Sequence, residues 1–436
     1  MKIKTFFLFI IILQSNSEIY SQTTQWRELP GVPFSSRYED VYFIDANTGW
    51  TMYYNIVYKT TNGGNNWVSY NQQGSNSNRS IGFFDSEVGL IGQLNLDVPM
   101  TRTTNGGVNW TAVNSFPTPK PVGICGISIV NNNTAYACGT YYNNARAYKT
   151  TDKGINWSLV FNDTSLARGL VDCYFWSEDS GLVVGRYYSS NVSEPNSVVL
   201  ITTNSGNTWQ RVYKSSRTKE WCWKISFNSK NFGVVSIERF TANGLSYYLK
   251  TTNGGFNWTE YPFFVFDQEG IGFLNENTGW IGGYGGATRE TIDGGLNWHT
   301  VTYLESVNRI RFINDTLAYA AGRRIFKYSR DPVGISSTST IVPEKFYLSQ
   351  NYPNPFNPLT YIKFDLPAVG NNNSIKVVMK VYDALGNEIR ELVNNNLNPG
   401  SYQVSFDGGY FASGIYYYTF QFNGINAETK KMLLIK

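Results

Sequence analysis

Chemistry in this chain is bounded first by its single histidine, His299. A nucleophilic triad needs a histidine between a hydroxyl or thiol and an orienting acid. One histidine satisfies the count, but no G-x-S-x-G elbow accompanies it. Its place directly after Trp298 reads as an outer strand. One histidine cannot build a multi-histidine metal site. Gly282–Gly286 (GGYGG) touches the Gly-x-Gly theme of phosphate loops, yet it neither opens a helix nor sits in a βαβ unit and reads as a turn. With 32 acidic residues, the presence of carboxylates decides nothing. No cofactor is called for. The basic residues offer more. Arg37, Arg79, Arg168 and Arg309, with Lys120 and Lys219 in similar places, each stand shortly before a recurring aromatic segment. If those segments line a channel, the cations form a ring at its mouth, suited to an anionic ligand or an acidic partner. Their offsets vary, which favours a solvated rim over one converging site.

The four cysteines, Cys125, Cys138, Cys173 and Cys222, lack C-x-x-C spacing, which argues against zinc or a redox pair. Cys125 and Cys138 flank a turn at Asn131–Asn133. They read either as a cross-strand disulfide or as two small buried thiols. The formal charge of +4 over 436 residues, without a lysine or arginine block, gives no nucleic-acid surface. Lys2 and Lys4 precede a short apolar run, Phe6–Leu13, and a polar exit. Residues 1–21 therefore read as a signal peptide, with the mature chain starting near Gln22. The apolar run is too short to span a bilayer, and no later segment is long and apolar enough to cross a membrane.

The elements that position these residues come from a repeat. Lys59–Trp67 (KTTNGGNNW) returns at Arg102–Trp110, Lys149–Trp157, Ile201–Trp209, Lys250–Trp258 and Glu290–Trp298. Its fixed points are Asn62, Gly64 and Trp67; Asn105, Gly107 and Trp110; Asp152, Gly154 and Trp157; Asn204, Gly206 and Trp209; Asn253, Gly255 and Trp258; and Asp293, Gly295 and Trp298. An amide stands at the acidic position in four of these copies, and it cannot act as a general acid or base. The sentence therefore reads as a hairpin cap: side-chain oxygen on turn N–H groups, Gly at positive φ, Trp as apolar cover.

A second signature begins at Phe43, Phe84, Ile129, Phe175, Phe227, Phe273 and Phe312, seven times against six. The missing seventh tail lies at the other end of the chain, around Trp26. A period of 40–50 residues filled with strands, and one unit split between the termini, predicts a closed seven-bladed β-propeller over 22–330. Closure removes the exposed sheet edges of an open array.

The repeated sentence is the Asp-box, or bacterial neuraminidase repeat. With the F-x-x-x-x-x-G-W-x-x-G signature, the units resemble the propellers of photosystem II assembly and stability factors. The resemblance implies the fold, and in that family an arginine-bearing face that binds protein. Asp-boxes also occur in sialidases and xyloglucan hydrolases; the chain has the residue types of a sialidase site but its sequence does not place them in one pocket, and the motifs that carry a xyloglucanase's two acids are not recognisable.

Residues 331–344 (DPVGISSTSTIVPE) read as a linker. Beyond them, 345–436 alternate strands with Gly turns as an Ig-like β-sandwich, and Pro353, Pro355 and Pro358 exclude a helix and a central strand over Phe346–Pro367. QNYPNPFNP (Gln350–Pro358), VYDALGNEIREL (Val381–Leu392), ASGIYYY (Ala412–Tyr418) and KKMLLIK (Lys430–Lys436) strongly resemble the type A C-terminal sorting domain of the type IX secretion system. That resemblance implies a Gram-negative bacterium of the Bacteroidetes or a related phylum. It also implies contact with the type IX machinery and delivery through the periplasm to the cell surface or medium. The expectation is an all-β, exported, non-enzymatic binding platform for an unknown protein or glycan. A glycan-active hydrolase on the same propeller is the alternative.

Overall fold

The computed structural model describes residues 26–329 and 336–435, apart from 36, 73–76, 140–143, 189–193, 240–244, 264–267, 284–285, 315, 340–341, 369–373 and 409–410. The signal-peptide reading of 1–21 lies outside the described residues, as does part of Gly282–Gly286. No described helix is long and apolar enough to cross a membrane. Two units divide at Ser329 and Arg330.

Residues 26–329 form seven four-stranded antiparallel sheets. We number these blades 1 to 7, spanning 41–71, 78–112, 126–161, 169–214, 220–263, 268–305, and 309–329 with Trp26–Glu28. Inner strands carry the burial: Glu220–Phe227 is buried at every position, whereas the outer strand Val68–Asn71 is largely exposed. Trp26 pairs with Tyr328 and Glu28 with Phe326, so the N-terminal strand is the fourth strand of blade 7. Trp26 is buried, edge-on to Trp280 at 5.5 Å and tilted against Tyr328 at 5.4 Å.

Each Asp-box caps a third-to-fourth-strand hairpin with one set of bonds. Thr Oγ1 accepts the Gly N–H at 2.8–3.0 Å and donates to the Asn or Asp Oδ1 at 2.8–3.1 Å. That Oδ1 also accepts the N–H four residues on at 2.9–3.0 Å. Gly64 and its counterparts have φ between 80° and 95°, the left-handed region where a Cβ is strained. In five copies the Trp indole donates to the Gly carbonyl; Trp298 instead packs edge-on against Tyr248 and Phe263. The residue after the acidic position donates its N–H to the first-to-second-strand turn of its own blade, as Gly63 does to Asn47 and Gly254 to Asn231. Both kinds of turn therefore share one face, the turn face. The opposite, loop face carries the less repetitive connections.

The second unit holds two more four-stranded sheets. One orders Ser336–Ser339, Gly400–Asp407, Leu359–Leu366 and Tyr347–Leu348; the other orders Glu388–Leu397, Ile375–Tyr382, Gly414–Phe422 and Ile425–Leu434. Alternating side chains build one core around Ile362, Phe364, Met379, Phe420 and Leu434. Two corrections follow. Ser336–Ser339, read as linker, pairs with Gly400–Asp407. The residues after Pro358 form an eight-residue strand, because the proline constraint ends with Pro358 itself. Inside the proline-rich segment, buried Asn351 bonds Thr360 and the Pro353 carbonyl and takes its own N–H to the Tyr418 hydroxyl.

Candidate functional site

First strands run from the loop face into the channel, and the residue three positions before each signature aromatic is set by that register. In blades 1, 4, 5 and 7 this residue is Asp40, Asp172, Lys224 and Arg309, all buried. Two acids face two bases. Arg309 grips Asp172 with two bonds, 2.6 and 3.0 Å, and lies 3.4 Å from Asp40. Arg311 closes on Asp40 with bonds of 2.9 and 2.7 Å. Burial alone would raise the Asp40 carboxyl, but Arg311 and Arg309 outweigh it and hold the pKa below the ordinary value. Lys224 goes the other way: burial, aided by Arg309, pulls its pKa down to about 8 against the opposing pull of Asp172 and Asp40.

Nearer the mouth, Arg37 bonds Glu269 at 2.7 Å, Glu39 at 3.0 Å and Asn308 at 3.1 Å. Arg79 bonds the same Glu39 at 2.6 Å. Burial lifts Glu269 above the usual carboxylate range despite Arg37. The cavity among Arg37, Glu39, Arg79, Cys125, Trp223 and Lys224 measures about 20 Å³, room for about one water.

The four arginines read as a rim therefore do not form one free cationic ring. Arg37, Arg79 and Arg309 are neutralised by acids within the propeller. Arg168 stands apart in blade 4, its guanidinium 5.4 Å from the Tyr188 ring, with no carboxylate at ion-pair distance among the described residues. Beside it Arg186 covers Tyr188 at 5.5 Å and Trp221 at 3.9 Å. Of the two lysines read with them, Lys219 pairs with Glu194 at 2.9 Å and Lys120 is exposed. The acids Glu39, Asp40, Asp172 and Glu269 were missed in the sequence, although the constant offset of three marks Asp40 and Asp172. In blade 2 the aromatic at that register is Phe83, one residue before the expected Phe84.

His299 is exposed on the outer strand of blade 6, opposite Glu290. No metal-binding cluster of His, Cys, Asp or Glu occurs among the described residues. All four cysteines are buried free thiols. Cys138 faces Gly126, one residue off Cys125, so the pair is out of register for a cross-strand bridge. Burial pushes the Cys125 thiol up to about 11, leaving little thiolate near neutrality.

A propeller with an internally paired channel, joined to a β-sandwich, is the class these features define. Residues 350–436 match the secretion system C-terminal sorting domain family, so the chain carries the module that directs export by type IX secretion to the surface or medium. No curated protein matches the chain. Among solved structures, YCF48 bound to a D1 peptide aligns at 20% identity over 70% of this chain and 97% of its own, TM-score 0.51. YCF48 from Cyanidioschyzon merolae aligns at 18% over 70% and 98%, TM-score 0.51. The extracellular domain of a one-component system from B. thetaiotaomicron aligns at 10% over 95% and 59%, TM-score 0.50. At these identities the likeness is one of fold.

Proposed function

We propose that the protein is a non-enzymatic binding platform, exported by its sorting domain, which takes an acidic partner segment on the loop face of blade 4. One observation carries this reading. Arg168 is the arginine of the predicted set left without an acid among the described residues, whereas the channel arginines are consumed by neighbours. A guanidinium over an aromatic ring keeps its donors free for a carboxylate. That one fold neighbour carries a bound peptide agrees with peptide binding on such a scaffold.

The hydrolase alternative needs two carboxylates separated across a cleft wide enough for a sugar. Glu269 has the raised pKa of an acid donor, but it is bonded to Arg37, and the cavity beside it is far below the size of a ligand pocket. Titration calorimetry with a glutamate-rich octapeptide tests the proposal. Binding should weaken with salt and drop about tenfold in Arg168→Ala. Unchanged binding in that variant, or turnover of sialosides or β-glucans by the wild type, overturns it.

A further inference from the structure

In four of the six Asp-box sentences the first residue is a cation that works between blades, and Lys327 of blade 7 stands at the equivalent place. Lys149 of blade 3 donates to the Glu178 carbonyl at 3.0 Å and the Ser205 hydroxyl at 3.1 Å, both in blade 4, and lies 5.4 Å from its own Tyr136 ring. Lys250 of blade 5 donates to the Gly294 carbonyl of blade 6 and covers Phe273. Arg102 of blade 2 donates to the Lys153 carbonyl of blade 3 at 2.7 Å. Lys59 covers Trp50 and comes so close to blade 2 that a Cβ on Gly106 would strike its Nζ. Lys327 of blade 7 does the same over Tyr319 toward Gly63 of blade 1. Five clefts are thus closed by a cation bridging to the next Asp-box turn.

Two are not. Blade 6 has Glu290, which accepts the Trp280 indole N–H of its own blade, and blade 7 offers no Asp-box turn to reach. Blade 4 has Ile201 opposite Leu182, so ammonium and covering ring are both replaced by aliphatic groups, although blade 5 does present an Asp-box turn. A Cβ on Gly254 would meet only the Lys230 carbonyl, at 3.3 Å, the counterpart of the Glu178 carbonyl that Lys149 uses. Beside Lys230 the structure opens a pocket of about 360 Å³, lined by Tyr174 and Trp176 of blade 4 and by Asn228, Ser229 and Lys230 of blade 5, with Tyr174 in the same cross-strand row as Leu182 and Ile201. Tyr174 stacks on Phe227 at 5.0 Å, and Trp176 tilts against it at 5.8 Å.

We propose that this turn-face cleft between blades 4 and 5 is a socket for an external alkylammonium, the side chain of a lysine on a partner protein. The clefts at Lys149 and Lys250 show what the site takes: an ammonium on a turn carbonyl, beside an aromatic ring. Here Trp176 and Tyr174 supply the aromatic wall and the Lys230 carbonyl the acceptor, while the volume leaves room for the aliphatic stem. The Lys230 ammonium at the rim is a like charge that weakens but does not block the site, being exposed to water and screened. The site lies on the face opposite Arg168 and does not depend on the acidic-segment reading, so each can fail while the other stands.

The test uses full-length protein labelled with fluorotryptophan, titrated with end-blocked Gly-Lys-Gly and its norleucine and acetyl-lysine analogues. The lysine peptide should shift the Trp176 resonance, assigned by Trp176→Phe, and the two uncharged analogues should not. Ile201→Lys supplies an internal ammonium and should weaken the peptide about tenfold. Lys230→Ala should tighten it. Free methylamine binding as well as the peptide would assign the site to small amines and overturn the lysine proposal. So would equal shifts from the norleucine peptide, or weaker binding in Lys230→Ala, which would mark an anion site. Lys230→Ala, at an exposed position, keeps the test decisive should Ile201→Lys not fold.

Discussion

At the residue scale, the channel is held by charges that have no water to fall back on. Arg309 is the centre, since Asp172 and Asp40 both face it from within the channel. Removing one partner of a buried pair leaves the other charge uncompensated, typically at about 3–5 kcal/mol. Arg309→Ala should therefore lower the guanidinium unfolding midpoint by that equivalent, and pairing Arg309→Met with Asp172→Leu should recover much of the loss. A midpoint unmoved by Arg309→Ala would deny the network a structural role. Lys224 gives a pH signature. Its folded pKa of about 8 lies below the ordinary lysine value of 10.5, so between these values the unfolded chain binds more protons. Stability then rises with pH across that window, and the burial penalty is fully present below about 8. The stability difference between wild type and Lys224→Met should shift in favour of wild type from pH 8 to 10; a flat difference would remove Lys224 from the account.

At the scale of the element, the Asp-box hairpin explains why amides and acids interchange. Its Oδ1 only accepts, from a Thr hydroxyl and one N–H, and both chemistries serve. The acids differ in one respect. The Asn297 N–H, with help from its side chain and Thr291, holds Asp293 down at about 2. A depressed carboxylate contributes stability above its unfolded value, and that contribution is lost as pH falls through the folded value. Asp293→Asn should be near neutral at pH 7 and should flatten the acid limb of the melting temperature between about pH 4 and 2; an unchanged limb would contradict the cap. The outline of this hairpin was legible in the sequence because its bonds are local, but the Thr hydroxyl at its centre was given no role there. The channel was only half legible: Arg37, Arg79 and Arg309 stood out but Arg311 did not, and their acids lie far off in sequence, as Glu269 does at 232 residues from Arg37. The cleft at Ile201 was legible only as a departure from lysine, and its meaning needed the neighbouring blade. The strand at Ser336–Ser339 was hidden by a composition of serine and threonine that reads equally as linker.

At the scale of the whole molecule, the two units carry separable tasks. Blade 7 is completed by Trp26–Glu28, so the ring closes within 26–329 and takes no strand from the other described residues. The sorting unit has its own core of Phe364, Met379, Phe420 and Leu434. Truncation after Ser329 should then leave the propeller's melting temperature within a few degrees of the full chain while abolishing delivery, so that the propeller accumulates in the periplasm. Trp26→Ala should do the reverse. Loss of a buried indole costs about 3–5 kcal/mol, and here it opens the one blade whose strands come from both ends of the ring. Export through the intact sorting unit should continue, with protease sensitivity appearing first in 309–329. Fractionation and limited proteolysis of the two variants read both outcomes. Surface delivery of the truncated chain would show that the propeller itself is recognised for export. A Trp26→Ala ring as protease-resistant as wild type would mean that the N-terminal strand is dispensable for closure.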